Sequence, residues 1–115
     1  MIDPLESRIN EAVLDFTLGD ASKAEASLSA IVLEKPGNGS AHRALAEVRL
    51  ALGDLAGAER SCRSALKIDE NDLASTVSLA RILVAKGDKE GAEKASADAR
   101  ILGWKDELAQ SDSSD

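Results

Sequence analysis

Aromatic residues, cysteine and proline are scarce in this chain. Among its 115 residues Phe16 and Trp104 are the only aromatics, Cys62 is the only cysteine, and Pro4 and Pro36 are the only prolines. One cysteine cannot close an internal disulfide or build a Cys-rich metal site. No apolar run approaches the ~18 residues needed to span a bilayer, so membrane insertion is not expected. The formal net charge is −7. A chain with that charge and almost no aromatics lacks both the cationic footprint and the stacking platform of a nucleic-acid binder. Yet 43% of its residues are hydrophobic, too many for wholesale disorder.

Catalytic and cofactor signatures are missing as well. The sequence contains no HExxH, no paired-cysteine motif and no glycine-rich phosphate loop, so no cofactor and no metal are expected. His42 is the only histidine, and it lies about 20 residues from Cys62. A Cys–His nucleophile pair would need contact in a cleft and an orienting group. Carboxylates are abundant, but none pair off as an acid/base couple. The reading is a non-enzyme.

The N-terminus has no basic start followed by an apolar core, so it does not read as a secretory signal. Asp3, Pro4 and Glu6 read instead as a helix start, with an N-cap, a proline at the first helical position and an acid three residues after the cap. A cytoplasmic location is the expectation. Delivery with a signal already removed is the alternative.

Charge is unevenly distributed. Asp3 to Asn38 holds three bases and seven acids, Gly39 to Asp72 five and six, and Leu73 to Trp104 five and four. From Lys105 on there are one base and four acids. The acidity therefore belongs to the two ends. The last residues, 105–115, are expected to fray beyond a short helical turn.

What the sequence has in abundance is repetition. Gly19-Asp20-Ala21-Ser22-Lys23-Ala24-Glu25 aligns with Gly53-Asp54-Leu55-Ala56-Gly57-Ala58-Glu59 and with Gly87-Asp88-Lys89-Glu90-Gly91-Ala92-Glu93, each 34 residues after the last. Ala12, Ala46 and Ala80 share one phase; Leu14, Val48 and Ile82 another; Phe16, Leu50 and Val84 a third. Glycine can take the left-handed conformation that ends a helix. The aspartate after it can cap the next helix by accepting from its free N–H groups. Each Gly-Asp thus divides two segments of helical apolar spacing. The spacing predicts helices at about 4–18, 21–34, 40–52, 55–68, 73–86 and 89–102, with a further turn near 104–109. Six helices in three hairpins leave room for a single domain over 1–115, with repeats at about 5–38, 39–72 and 73–104.

At these residues the chain resembles a tetratricopeptide repeat (TPR) protein, whose repeat is a helix–turn–helix of this length. Ala12, Ala46 and Ala80 match the small residue of the first helix, and Ala24, Ala58 and Ala92 the alanine of the second. Pro36 matches the terminal proline, where the later repeats carry Glu70 and Trp104. The family's large aromatics become Arg8, His42 and Thr76 at one position and Asp15, Arg49 and Leu83 at the other. The core must therefore rely on aliphatic residues. Asp15 and Arg49, equivalent in neighbouring repeats, are candidates for an inter-repeat ion pair.

The resemblance implies an all-α, right-handed α-solenoid whose first helices line a concave groove. By position the groove face would include Ile9, Val13 and Phe16, then Arg43, Glu47 and Leu50, then Val77, Arg81 and Val84. Phe16, Leu50 and Val84 are equally readable as core. The carboxylate clamp of heat-shock co-chaperones is absent, because the matching positions hold Ile9, Val13, Ala44, Ala74 and Ser78. Ile101, Leu102, Trp104 and Leu108 cluster near the C-terminus. The expectation is that they fold back over the last hairpin as a minimal cap; the alternative is an exposed docking or self-association edge. The function implied is protein–protein interaction, as a scaffold or adaptor binding a peptide or partner helix in the groove. A small acidic secretion-type chaperone for one client is the alternative, as is a structural protein assembling through its terminal repeats.

Overall fold

The computed structural model describes residues 3–113. Within them the chain forms α1 (Pro4–Thr17), α2 (Ala21–Glu34), α3 (Gly39–Ala51), α4 (Leu55–Ile68), α5 (Leu73–Lys86) and α6 (Lys89–Ser113), with no strand. Each odd helix packs as a hairpin with the even helix after it. Each even helix also packs on the next odd one, so that α1, α3 and α5 stand side by side in an α-solenoid.

The Gly-Asp corners form as the sequence implies. Gly19, Gly53 and Gly87 have φ of 97°, 81° and 81°. The amide after each donates five residues back: Asp20 to the Asp15 carbonyl at 2.8 Å, Asp54 to Arg49 and Asp88 to Leu83, both at 2.9 Å. This is the Schellman closure of a helix end. The same aspartate then turns to the next helix, Asp54 Oδ1 accepting from the Gly57 amide and Asp88 Oδ1 from that of Gly91, each at 2.9 Å. Asp3, Asn38 and Asp72 cap the three first helices in the same way.

Two apolar clusters join the repeats. Leu28 and Ile31 of α2 bury with Leu45 and Val48 of α3, and Phe16 leans on their edge half-buried. Cys62 of α4 buries with Leu79, Ile82 and Leu83 of α5 and with Ala92 and Ala95 of α6. Alanines at Ala12, Ala24, Ala46 and Ala58 are all 1% exposed or less, which permits close helix crossings without aromatic bulk.

Polar links reinforce both junctions. Arg43 of α3 donates to Asp72 at 2.8 Å, and the same carboxylate accepts from the Ser75 hydroxyl at 2.8 Å. Lys86 of α5 reaches Glu59 of α4 at 2.6 Å, where Arg63 also donates at 2.8 Å. These two hydrogen bonds hold the Glu59 carboxyl below its ordinary value. The expected Asp15–Arg49 pair does not form. Arg49 instead reaches back to Glu25 of α2 at 3.3 Å and to the Ser61 hydroxyl at 3.1 Å, while Asp15 pairs with Lys23 at 3.7 Å. The side chain at this position points toward second helices, and not along the row of first helices.

The second correction is at the C-terminus. The expected break after residue 102 is absent, and α6 runs unbroken for 25 residues to Ser113. Trp104–Ala109 therefore continues α6 and does not fold back as a cap, and the tail is helical through residue 113; residues 114 and 115, also expected to fray, lie outside the described residues. Earlier second helices stop at Pro36-Gly37-Asn38 and at Asp69–Asp72, where capping residues wait for the next helix. Gly103-Trp104-Lys105 offers neither proline nor cap. A lone helical glycine costs only about 1 kcal/mol, which does not end a helix.

Replacing Gly53 with alanine is expected to lower unfolding free energy by about 1 kcal/mol, since alanine pays for the left-handed conformation. Gly37→Ala, with open space around it, is the matched control, and denaturant titration reads both. Burial raises the Asp72 carboxyl, but hydrogen bonds from Ser75 and Arg43 outweigh it and leave it below its ordinary 3.8. Its contribution to stability is therefore present above the unfolded-state value and lost as pH falls through the lower folded-state value. Asp72→Asn is expected to lower stability at neutral pH and to flatten the loss seen below about pH 4; melts across pH compare it with the wild type.

Candidate functional site

The face shared by α1, α3 and α5 carries most of the residues expected in the groove. The structure divides them into three groups. Ile9 is only 8% exposed and belongs to the first core cluster. Phe16 and Leu50 are half-buried against the first and second clusters. Val13, Val77 and Val84 are exposed, Val84 by 68%. The contrast among equivalent positions has a simple cause: Phe16 and Leu50 are each covered by a following repeat, and Val84 has none after it.

The charged members of this face are matched internally. Glu47 Oε1 accepts from the Ser78 hydroxyl at 2.5 Å and from Arg81 Nη2 at 2.6 Å, linking α3 to α5. Arg81 also donates to Ser78 at 3.1 Å. Arg43 is held by Asp72 and by the Ser40 hydroxyl at 3.2 Å. Both arginines of this face are therefore engaged by side chains of the chain itself. The face presents exposed valines set among neutralised charges. The pairing itself was not readable from the sequence, because Glu47, Ser78 and Arg81 lie about one repeat apart and nothing local ties them together.

The N-terminal end face mixes apolar and charged side chains, with Leu14 55% exposed at the position where Val48 and Ile82 are buried. Glu11 stands exposed at the position where Leu45 and Leu79 are buried, and Arg8 pairs with Glu34 at 2.5 Å beside it. At the other end Leu102 is half-buried, whereas Ile101, Trp104 and Leu108 are 47%, 61% and 67% exposed. These three side chains are exposed, and the fold-back cap does not form.

The chemistry of the lone thiol is closed off. Cys62 is fully buried, and burial, assisted by the Glu47 carboxylate, pushes its pKa up to about 11. A thiol so raised is protonated at neutral pH and is a poor nucleophile. His42 does not serve it: its Nε2 lies 2.8 Å from the Pro36 carbonyl oxygen. Among the described residues no group of His, Cys, Asp or Glu is arranged to hold a metal, and no helix is long and apolar enough to cross a membrane.

No curated protein sequence matches the chain. Solved structures do match it in fold. The Yersinia enterocolitica type III secretion translocator chaperone SycD, in complex with a peptide of the translocator YopD, aligns with a TM-score of 0.84 at 22% identity, covering 99% of this chain and 90% of that one. The globular C-terminal domain of P. aeruginosa LpoP gives 0.79 at 28% identity, covering 87% and 99%. The second TPR of Spaghetti (RPAP3), bound to an HSP90 peptide, gives 0.81 at 15% identity, covering 85% and 91%. A family model for the tetratricopeptide repeat matches residues 15–72, half of the chain, across the first inter-repeat junction. With its 34-residue period, left-handed glycine corners and stacked hairpins, the chain belongs to the tetratricopeptide repeat family.

Proposed function

We propose that this chain is a non-catalytic protein-interaction module that holds an extended peptide segment along the face of α1, α3 and α5. Its repeats at 5–38, 39–72 and 73–104 act as one domain. The observation that carries the reading is the division on that face: Glu47, Arg81, Arg43 and Asp72 neutralise one another across repeats, while Val13, Val77 and Val84 stay exposed. A face of this kind selects apolar side chains. It offers no free cation to a terminal carboxylate, so the ligand differs in kind from the acidic HSP90 peptide held by the Spaghetti domain. A buried, protonated Cys62 and an engaged His42 support the absence of catalysis. A cytoplasmic setting is part of this proposal.

A second reading is a dedicated chaperone that shields an apolar stretch of one client before export. The likeness to SycD with its translocator peptide favours it, as does that to PcrH with the chaperone-binding region of PopD. Both readings use the same face.

Selection from a random peptide library tests the ligand class. Enriched sequences are expected to carry spaced apolar residues, to keep their affinity as salt is raised, and to lose at least about tenfold on Val77→Glu/Val84→Glu, which places charge at the contact. Enrichment of acidic C-termini, or affinity that collapses with salt, would overturn the reading.

A further inference from the structure

Helix α6 runs for 25 residues, against 14 for α2 and for α4. One face of it, through Ala92 and Ala95, packs into the second core cluster. The opposite face carries Ala97, Ile101, Trp104 and Leu108, spaced by four, three and four residues. That is the alternation of a coiled-coil seam. Ile101, Trp104 and Leu108 are all exposed, so among the described residues nothing covers that part of the seam.

The charges beside the seam say what covers it. Arg100 and Glu107 flank it on one side, Asp98 and Lys105 on the other, and all four are exposed. None of them takes part in the ion pairs found among the described residues. The geometry points to a homodimer in which the α6 helices of two copies pack antiparallel, Ile101 of one against Trp104 of the other and Ala97 against Leu108.

In that register every flanking contact joins opposite charges. Arg100 of each copy meets Glu107 of the other, and Asp98 of each meets Lys105 of the other. A parallel pair would instead set Arg100 against Lys105, two cations. Flanking charges of this sort fix the orientation of helix pairs. Ile101 borders a groove it shares with Leu66 of α4 and Leu79 of α5, and Trp104 and Leu108 beyond it are open to solvent, which leaves a second helix room to approach. So few layers make a small interface, and the dimer forms with rising concentration. This surface is separate from the face of α1, α3 and α5, so the dimer stands or falls independently of peptide binding there.

Sedimentation velocity over a wide concentration range, at low salt, reads the association. The wild type is expected to move from monomer toward dimer, and Trp104→Asp to remain monomeric. Arg100→Glu alone and Glu107→Arg alone are each expected to weaken the dimer about tenfold, because each sets like charges together. Mixing those two variants is expected to restore association, since each then meets its complement. Circular dichroism melts confirm that these exposed substitutions leave the solenoid folded. A wild type that stays monomeric throughout overturns the proposal. So does an Arg100→Glu variant that dimerises as well as or better than the wild type, as a parallel pair would require.

Discussion

A helical hairpin of 34 residues has more apolar stripe than it can bury by itself. The whole structure follows from that shortfall. Each hairpin must lend a face to the next, so burial accumulates at junctions and not at a single centre. The first junction gathers Leu28, Ile31, Leu45 and Val48, and the second gathers Cys62, Leu79, Ile82 and Leu83. Alanines set how near the helices come, and the Gly-Asp corners set the angle at which each hairpin returns. The scarcity of aromatics is then no defect. Close crossings of small residues leave little space for a ring to fill.

The same dependence explains which surfaces are free. At the position shared by Phe16, Leu50 and Val84, a side chain is covered where another repeat packs against it. Phe16 and Leu50 meet that condition and sink partly inward; Val84 does not and stays in solvent. On α1 the chain has put Glu11 where the later repeats put Leu45 and Leu79. One end thus exposes Glu11 beside Leu14, and the other is carried onward by an uninterrupted helix.

Much of this was legible beforehand because the signals are local. Helix boundaries follow from Gly, Asp, Asn and Pro at fixed steps, and α2, α4 and α5 begin and end where the spacing places them. The buried alanines and Cys62 follow from the period. Contacts spanning a whole repeat were not legible. Arg49 looked equivalent to Asp15, but a side chain at that position reaches across to the neighbouring second helices at Glu25 and Ser61. The Glu47–Ser78–Arg81 network likewise depends on how far α3 and α5 rotate toward one another, which no local pattern encodes. The length of α6 was readable in principle. The sequence after residue 102 lacks any residue that stops a helix, and a glycine alone is too weak a stop.

Cys62 has a consequence beyond its inertness. It sits at zero exposure in the cluster that joins the second and third repeats. While that junction is closed, alkylating reagents and oxidants have no path to the sulfur. When it opens, the thiol returns to water and to ordinary reactivity. The rate at which this single thiol is modified therefore measures how often the second and third repeats part, a local opening distinct from unfolding of the whole chain. The solenoid carries its own clock for that event, placed at the joint whose closure holds the third repeat in line.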